Sequence, residues 1–104
     1  MAIPIHDLST PDLIRIRIEA PELREALTLE VKERVKALLD EEPREIRFDL
    51  SAVQSIESLA IGMLLYFEHI QKRAGLGMRI EAASPALTAM LGKLALGHLI
   101  VPGA

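Results

Sequence analysis

Two carboxylates, Asp49 and Glu57, bracket a short segment that carries the hydroxyls of Ser51 and Ser55, and Ser58 follows directly. Paired acids can do proton-transfer work, but only with shifted pKa values in a shared cleft and a reacting partner within reach. No nucleophile–base pairing accompanies these two. The bland role for Asp49 is a strand-end carboxylate that accepts hydrogen bonds from the following loop, with Ser51 part of the same turn. His6, His69 and His98 are scattered, without metal-ligand spacing or a nearby acidic cluster. The chain has no cysteine, which removes thiolate chemistry, disulfides and cysteine-ligated zinc. Gly75 and Gly77 come after a helix, not between strand and helix, so they suit a cap and turn rather than a phosphate cradle. The reading is a non-enzymatic chain that needs no cofactor or metal.

Ser58 is the residue left over. Serine is a preferred N-cap, so Ser58 is expected to open the helix that follows. Ile61 stands three residues on, where a capping box would need Glu or Gln. A helix start also tolerates a phosphate, because its free N–H groups and positive dipole end favour an anion.

The elements around these residues follow from periodicity. Leu13–Ile18, Ile46–Leu50 and Met78–Ala82 alternate apolar and charged side chains, the period-2 signature of strands with one buried face. Ile3–Ile5 reads as a short edge strand because Pro4 is tolerated only at an edge. Ser9–Asp12 is a turn. Pro21 and Glu22 mark a boundary, and a helix is expected after them to about Asp40, with Leu27, Val31, Val35 and Leu38 on one stripe and Pro43 ending it. Residues 51–57 form a loop. The second helix runs from about Ser58 to Ala74, with Leu59, Met63 and Tyr66 most simply core and Glu68, Gln71, Lys72 and Arg73 facing water. A third opens at Ser84–Pro85, with Leu87, Met90, Leu91 and Leu94 as its stripe. The stretch from Leu96 to Val101 is expected to add a last short strand.

This order predicts an α/β domain with a mixed, mostly parallel sheet of four to five strands and one antiparallel edge. A parallel sheet covered on both faces would have continuous apolar strands. Here Arg15, Arg17, Arg47, Asp49, Arg79 and Glu81 give three strands a charged side. The helices are therefore expected mainly on one face.

The 104 residues suit a single domain spanning 1–104, and half of them are apolar, enough to fill one core. Tyr66, Phe48 and Phe67 are the only aromatics and net charge is −3, which leaves neither a basic patch nor a stacking platform for nucleic acid. The longest uncharged apolar stretch, Leu59–Phe67, is too short to cross a bilayer, and no basic region followed by an apolar run opens the chain. The expected location is cytoplasmic, without direct membrane insertion.

Two pieces carry a family resemblance. Ile46-Arg47-Phe48-Asp49-Leu50-Ser51-Ala52-Val53 is similar to the apolar strand, Asp-Leu-Ser and short loop of the STAS family. Ile56-Glu57-Ser58-Leu59-Ala60-Ile61-Gly62-Met63-Leu64-Leu65 resembles that family's Asp-Ser-x-Gly/Ala-Leu-Gly-x-Leu-Leu, with Glu57 in place of the usual Asp. The Ser84-Pro85 helix start and Leu94–Leu99 resemble its C-terminal third. The resemblance implies a protein-binding regulator of the anti-anti-sigma type that acts by partner switching. It further implies phosphorylation of Ser58 and a contact surface of Ser55, Glu57, Ser58, Leu59 and Gly62. The implied partners are an anti-sigma factor or serine kinase with an ATP-binding fold, and a response-regulator phosphatase. The alternative it leaves open is a constitutive accessory subunit that binds the ATPase of an ABC-type lipid-transport complex.

Overall fold

In the stretch Leu13–Ile18, Ile14, Ile16 and Ile18 are fully buried while Arg15 and Arg17 lie in solvent. The computed structural model describes residues 4–100. In chain order the elements are β1 (Ile5–Asp7), β2 (Leu13–Ile18), β3 (Glu22–Leu23), α1 (Glu25–Glu41), β4 (Glu45–Leu50), β5 (Ser55–Ile56), α2 (Ser58–Arg73), β6 (Met78–Ala83) and α3 (Pro85–Lys93). A 3₁₀ turn, Gly97–Leu99, follows.

The main sheet has the order β1-β2-β4-β6. β1 is antiparallel to β2, and β2, β4 and β6 run parallel, as the crossover helices between them require. Its inner face carries Ile14, Ile16, Ile18, Ile46, Phe48, Leu50, Met78 and Ile80, all buried against Val31, Val35, Ala60, Leu64 and Phe67 from the helices. The outer face is charged. Arg15, Arg47 and Arg79 stand in register across three strands, an arrangement that like-charge repulsion disfavours. Acids relieve it: Glu81 accepts from Arg15 Nε at 2.7 Å and Glu45 from Arg47 Nε at 3.0 Å, and Arg17 lies 3.8 Å from Asp49. A polar lattice thus takes the place of the second helical layer that most parallel sheets need.

Several elements differ from expectation, and long-range pairing explains each. The edge strand begins at Ile5 and continues to Asp7, pairing with Ile16–Ile18; Ile3 lies outside the described residues. The first helix starts at Glu25 and not directly after the Pro21–Glu22 boundary, because Glu22 and Leu23 are held extended against Ser55 and Ile56. The expected loop 51–57 therefore contains a strand, and Leu23 is fully buried where the two meet. Gln71, expected in water, is only 3% exposed; its Nε2 donates to the carbonyls of Arg44 and Gly77 at 2.7 and 2.9 Å. It ties the start of β4 to the start of β6. At the C-terminal end a 3₁₀ turn replaces the expected strand, and only Ile100 bridges to Ile80; Val101 lies outside the described residues.

Helix α2 closes on Gly75, whose φ of 74° is the left-handed conformation glycine adopts freely. The amides of Gly75 and Leu76 return to the carbonyls of Lys72 and Gln71 at 3.1 and 2.8 Å, a Schellman arrangement. α3 ends the same way with Ala95 at φ 59°, where a side chain is less easily accommodated.

Candidate functional site

A register shift and a set of hydrogen bonds build the segment that leaves β4 and enters α2. A register shift between Phe48 and Asp49 offsets the pairing of β4 with β6 by one residue, so that Asp49 and Leu50 pair with Ala82 and Ala83, as bulges do where a chain is re-aimed. Asp49 Oδ1 then accepts from the Ser51 amide at 3.0 Å and the Ser51 hydroxyl at 2.7 Å. Partial burial pushes the Asp49 carboxyl up. The Ser51 bonds and the charges of Arg17 and Arg15 outweigh that and hold it below its ordinary value. The amides of Gln54 and Ser55 both donate to the carbonyl of Pro21 at 2.8 and 3.2 Å, and the Glu57 amide donates to Leu23 at 3.2 Å. The entry to α2 is therefore sewn to the strand that precedes α1.

Ser58 is not the N-cap of α2. The cap is Glu57, extended at φ −86° and ψ 166°, and no side chain accepts a capping hydrogen bond there. The pairing of Leu23 with Ile56 keeps the chain extended one residue longer than the serine alone would suggest. Ser58 is the first helical residue, exposed, and its hydroxyl bonds to nothing among the described residues. The first two amides of the helix, those of Ser58 and Leu59, have no side-chain acceptor there either. The Ala60 and Ile61 amides already return to the Glu57 carbonyl at 3.0 and 3.2 Å.

The remaining candidates divide between this surface and the fold. Leu59 is 43% exposed and Gly62 is open, with nothing within 4 Å of the position a Cβ would take. Ser58, Leu59 and Gly62 share one face at helical spacing. Ser55 is half-buried in β5 and pairs with Glu22. Glu57 is exposed, but its carboxylate turns away from α2 and accepts from the Glu25 amide of α1 at 2.9 Å. Asp49 and Ser51 lie at the end of β4 and form a turn of their own.

Two residues extend the surface beyond those the motif named. Leu65 and Tyr66 are 40% and 39% exposed, and the Lys32 ammonium sits 4.9 Å from the centre of the Tyr66 ring. Of the trio expected in the core, Leu59 and Tyr66 are thus partly outside, and only Met63 is buried. The signal was present in the sequence: a helix apolar all round in its first half has more apolar surface than one core face can take.

Among the described residues no group of acids and histidines could hold a metal ion. His98 pairs with Glu68 at 2.8 Å and His6 approaches Glu19 at 3.7 Å. No helix among the described residues is long and apolar enough to cross a membrane.

Comparison with known proteins adds the following. A family model described as "Mlab, STAS domain" matches residues 18–102. Among solved structures the chain is similar to the anti-sigma factor antagonist SpoIIAA in its unphosphorylated form, with a TM-score of 0.80 at 14% identity, covering 96% of this chain and 86% of that one. Identity that low speaks to the fold alone. No curated protein matches the chain.

Proposed function

The chain belongs to the STAS domain family, and on that premise we propose that it is a protein-binding regulator of the anti-sigma factor antagonist kind, switched between partners by phosphorylation of Ser58. The observation that carries this reading is the Ser58 hydroxyl itself: exposed, at the first helical position of α2, and without a hydrogen-bond partner among the described residues. The open amides beside it and the positive end of the helix dipole suit the product of the modification. The neutral form presents Leu59, Gly62, Leu65 and Tyr66, a mainly apolar strip on the same helix. A phosphate brings about −1.5 to −2 charges to the head of that strip, which disfavours a partner that had packed against it.

In the reaction, Ser58 Oγ bonds to the γ-phosphorus of a nucleoside triphosphate held by the partner kinase. The β–γ bridging P–O bond breaks, the diphosphate leaves, and the hydroxyl proton passes to a base of the kinase. The chain supplies only the acceptor. A phosphatase that hydrolyses the ester restores the binding form.

The test is a titration against the ATP-binding partner captured from the native cell. Ser58→Glu is expected to weaken binding by about thirty-fold or more, the scale of an interface hot spot, while Ser58→Ala binds like the parent chain. Equal binding by both variants would remove the switch. Capture of an ABC ATPase, with both variants bound alike, would identify a fixed assembly subunit instead.

A further inference from the structure

Glu57 occupies the N-cap of α2 yet leaves that helix uncapped, because its Oε1 accepts the Glu25 amide of α1 at 2.9 Å. α1 has no cap of its own: Arg24 stands at its N-cap without a side-chain acceptor, and its guanidinium turns to Glu22. Both helix entries are already neighbours through the pairing of Glu22 and Leu23 with Ser55 and Ile56. Side-chain length decides which helix the carboxylate serves. An aspartate at an N-cap bonds the amides of its own helix at the second and third positions; the extra methylene of Glu57 carries the group across to α1 instead.

We propose that Glu57 is a positioning residue, a clamp that fixes the Ser58 segment against the first turn of α1 and, by spending its carboxylate there, leaves the α2 entry open beside Ser58. The clamp is a property of the isolated chain, and its purpose rests on the reading of Ser58 as the modified residue. With Glu57 anchored, the backbone immediately before Ser58 is held from two directions, by the Leu23 carbonyl at 3.2 Å and by the α1 amide. The hydroxyl is thus offered to a kinase in one place, which matters because displacements near 1 Å cost transfer reactions up to roughly 10²-fold.

Amide proton shifts of the full chain, followed by NMR as the solution is acidified, read the clamp directly. In the parent chain the Glu25 amide is expected to move as the residue 57 carboxylate is protonated. In Glu57→Gln the movement falls to what the other carboxylates cause, but the amide stays downfield because a carbonyl oxygen still accepts. In Glu57→Asp the residue 57 contribution is expected to pass to the Leu59 or Ala60 amide, and in Glu57→Ala that contribution is absent from all three amides. A Glu25 amide that ignores the state of residue 57 overturns the clamp. Its purpose is read from the phosphorylated fraction of Ser58 in native cells: the parent and Glu57→Gln alike, and Glu57→Ala lower on the order of ten-fold. Equal phosphorylation in all three overturns the positioning role and leaves Ser58 as the switch. No phosphate on Ser58 in any of them overturns the purpose together with the proposed function, with the NMR result still reporting the clamp.

Discussion

Ser58 and Ser84 each stand where a helix begins, and they are treated in opposite ways. Ser84 is 3% exposed at the N-cap of α3; its Oγ accepts from the Leu87 amide at 3.1 Å and donates to the Val53 carbonyl at 2.6 Å. Pro85 then fills the first helical position, where its missing N–H costs nothing. Ser58 sits one position later in its helix, in solvent, with no partner for its hydroxyl among the described residues. The difference comes from neighbours, not from residue type. Val53 and the end of β4 enclose Ser84, whereas β3 and β5 pull the chain at Ser58 outward and hand the cap position to Glu57. One serine is a part of the fold. The other is displayed by it.

The largest expected effect that sharpens this contrast is Ser84→Ala. It removes a cap and strands the buried Val53 carbonyl, at a cost of about 2 kcal/mol. Ser58→Ala is expected to change stability by no more than about 0.5 kcal/mol. Urea unfolding of both variants reads the pair, and equal losses would erase the distinction.

Asp49→Asn is next, at about 1 kcal/mol near neutral pH, since the amide keeps an acceptor for Ser51 but loses the charge facing Arg17. The sign follows from its lowered pKa. The stabilisation is complete above the unfolded aspartate value of about 3.9 and is lost as pH falls through the lower folded value. The gap between parent and variant in acid-titrated unfolding should therefore close on acidification. A gap that widens would contradict the ion-pair account.

Gly62→Ala works in the other direction. A Cβ there meets nothing within 4 Å, so replacing a mid-helix glycine should stabilise the chain by roughly 0.5–1 kcal/mol. If the proposed function holds, the same change should weaken partner binding, because the bare backbone would lie in the proposed contact strip. A stabilised variant with unchanged partner binding would take Gly62 out of the interface. Ser58→Asp puts a negative charge in the first turn and is expected to raise stability by about 0.3–1 kcal/mol in low salt and less as salt screens it. A destabilised Ser58→Asp would mean that the hydroxyl serves the fold after all.

The sequence made one of these serines legible and hid the other's position. Ser84-Pro85 is a local signal, complete within a few residues, and the helix starts where it says. The alternation in β2, β4 and β6 was equally local, and with it the charged outer face. What the sequence did not reveal depends on partners far along the chain. Leu23 meets Ile56, which delays α1 and shifts the α2 cap to Glu57. Gln71 looks like a surface residue until the carbonyls of Arg44 and Gly77 are brought to it. Glu57 reaches α1 only because two helix entries converge. Periodicity sees the face a residue occupies; it does not see a hydrogen bond between elements thirty positions apart.

We propose that the Ser58 hydroxyl is left free so that it can be modified. Mass spectrometry of the chain isolated from its native cell resolves the peptide that carries Ser58 from the one that carries Ser84. Phosphate is expected on Ser58 in part of the population and none on Ser84. A Ser58 that is unmodified under every growth condition, or phosphate carried on another serine instead, would overturn the proposal.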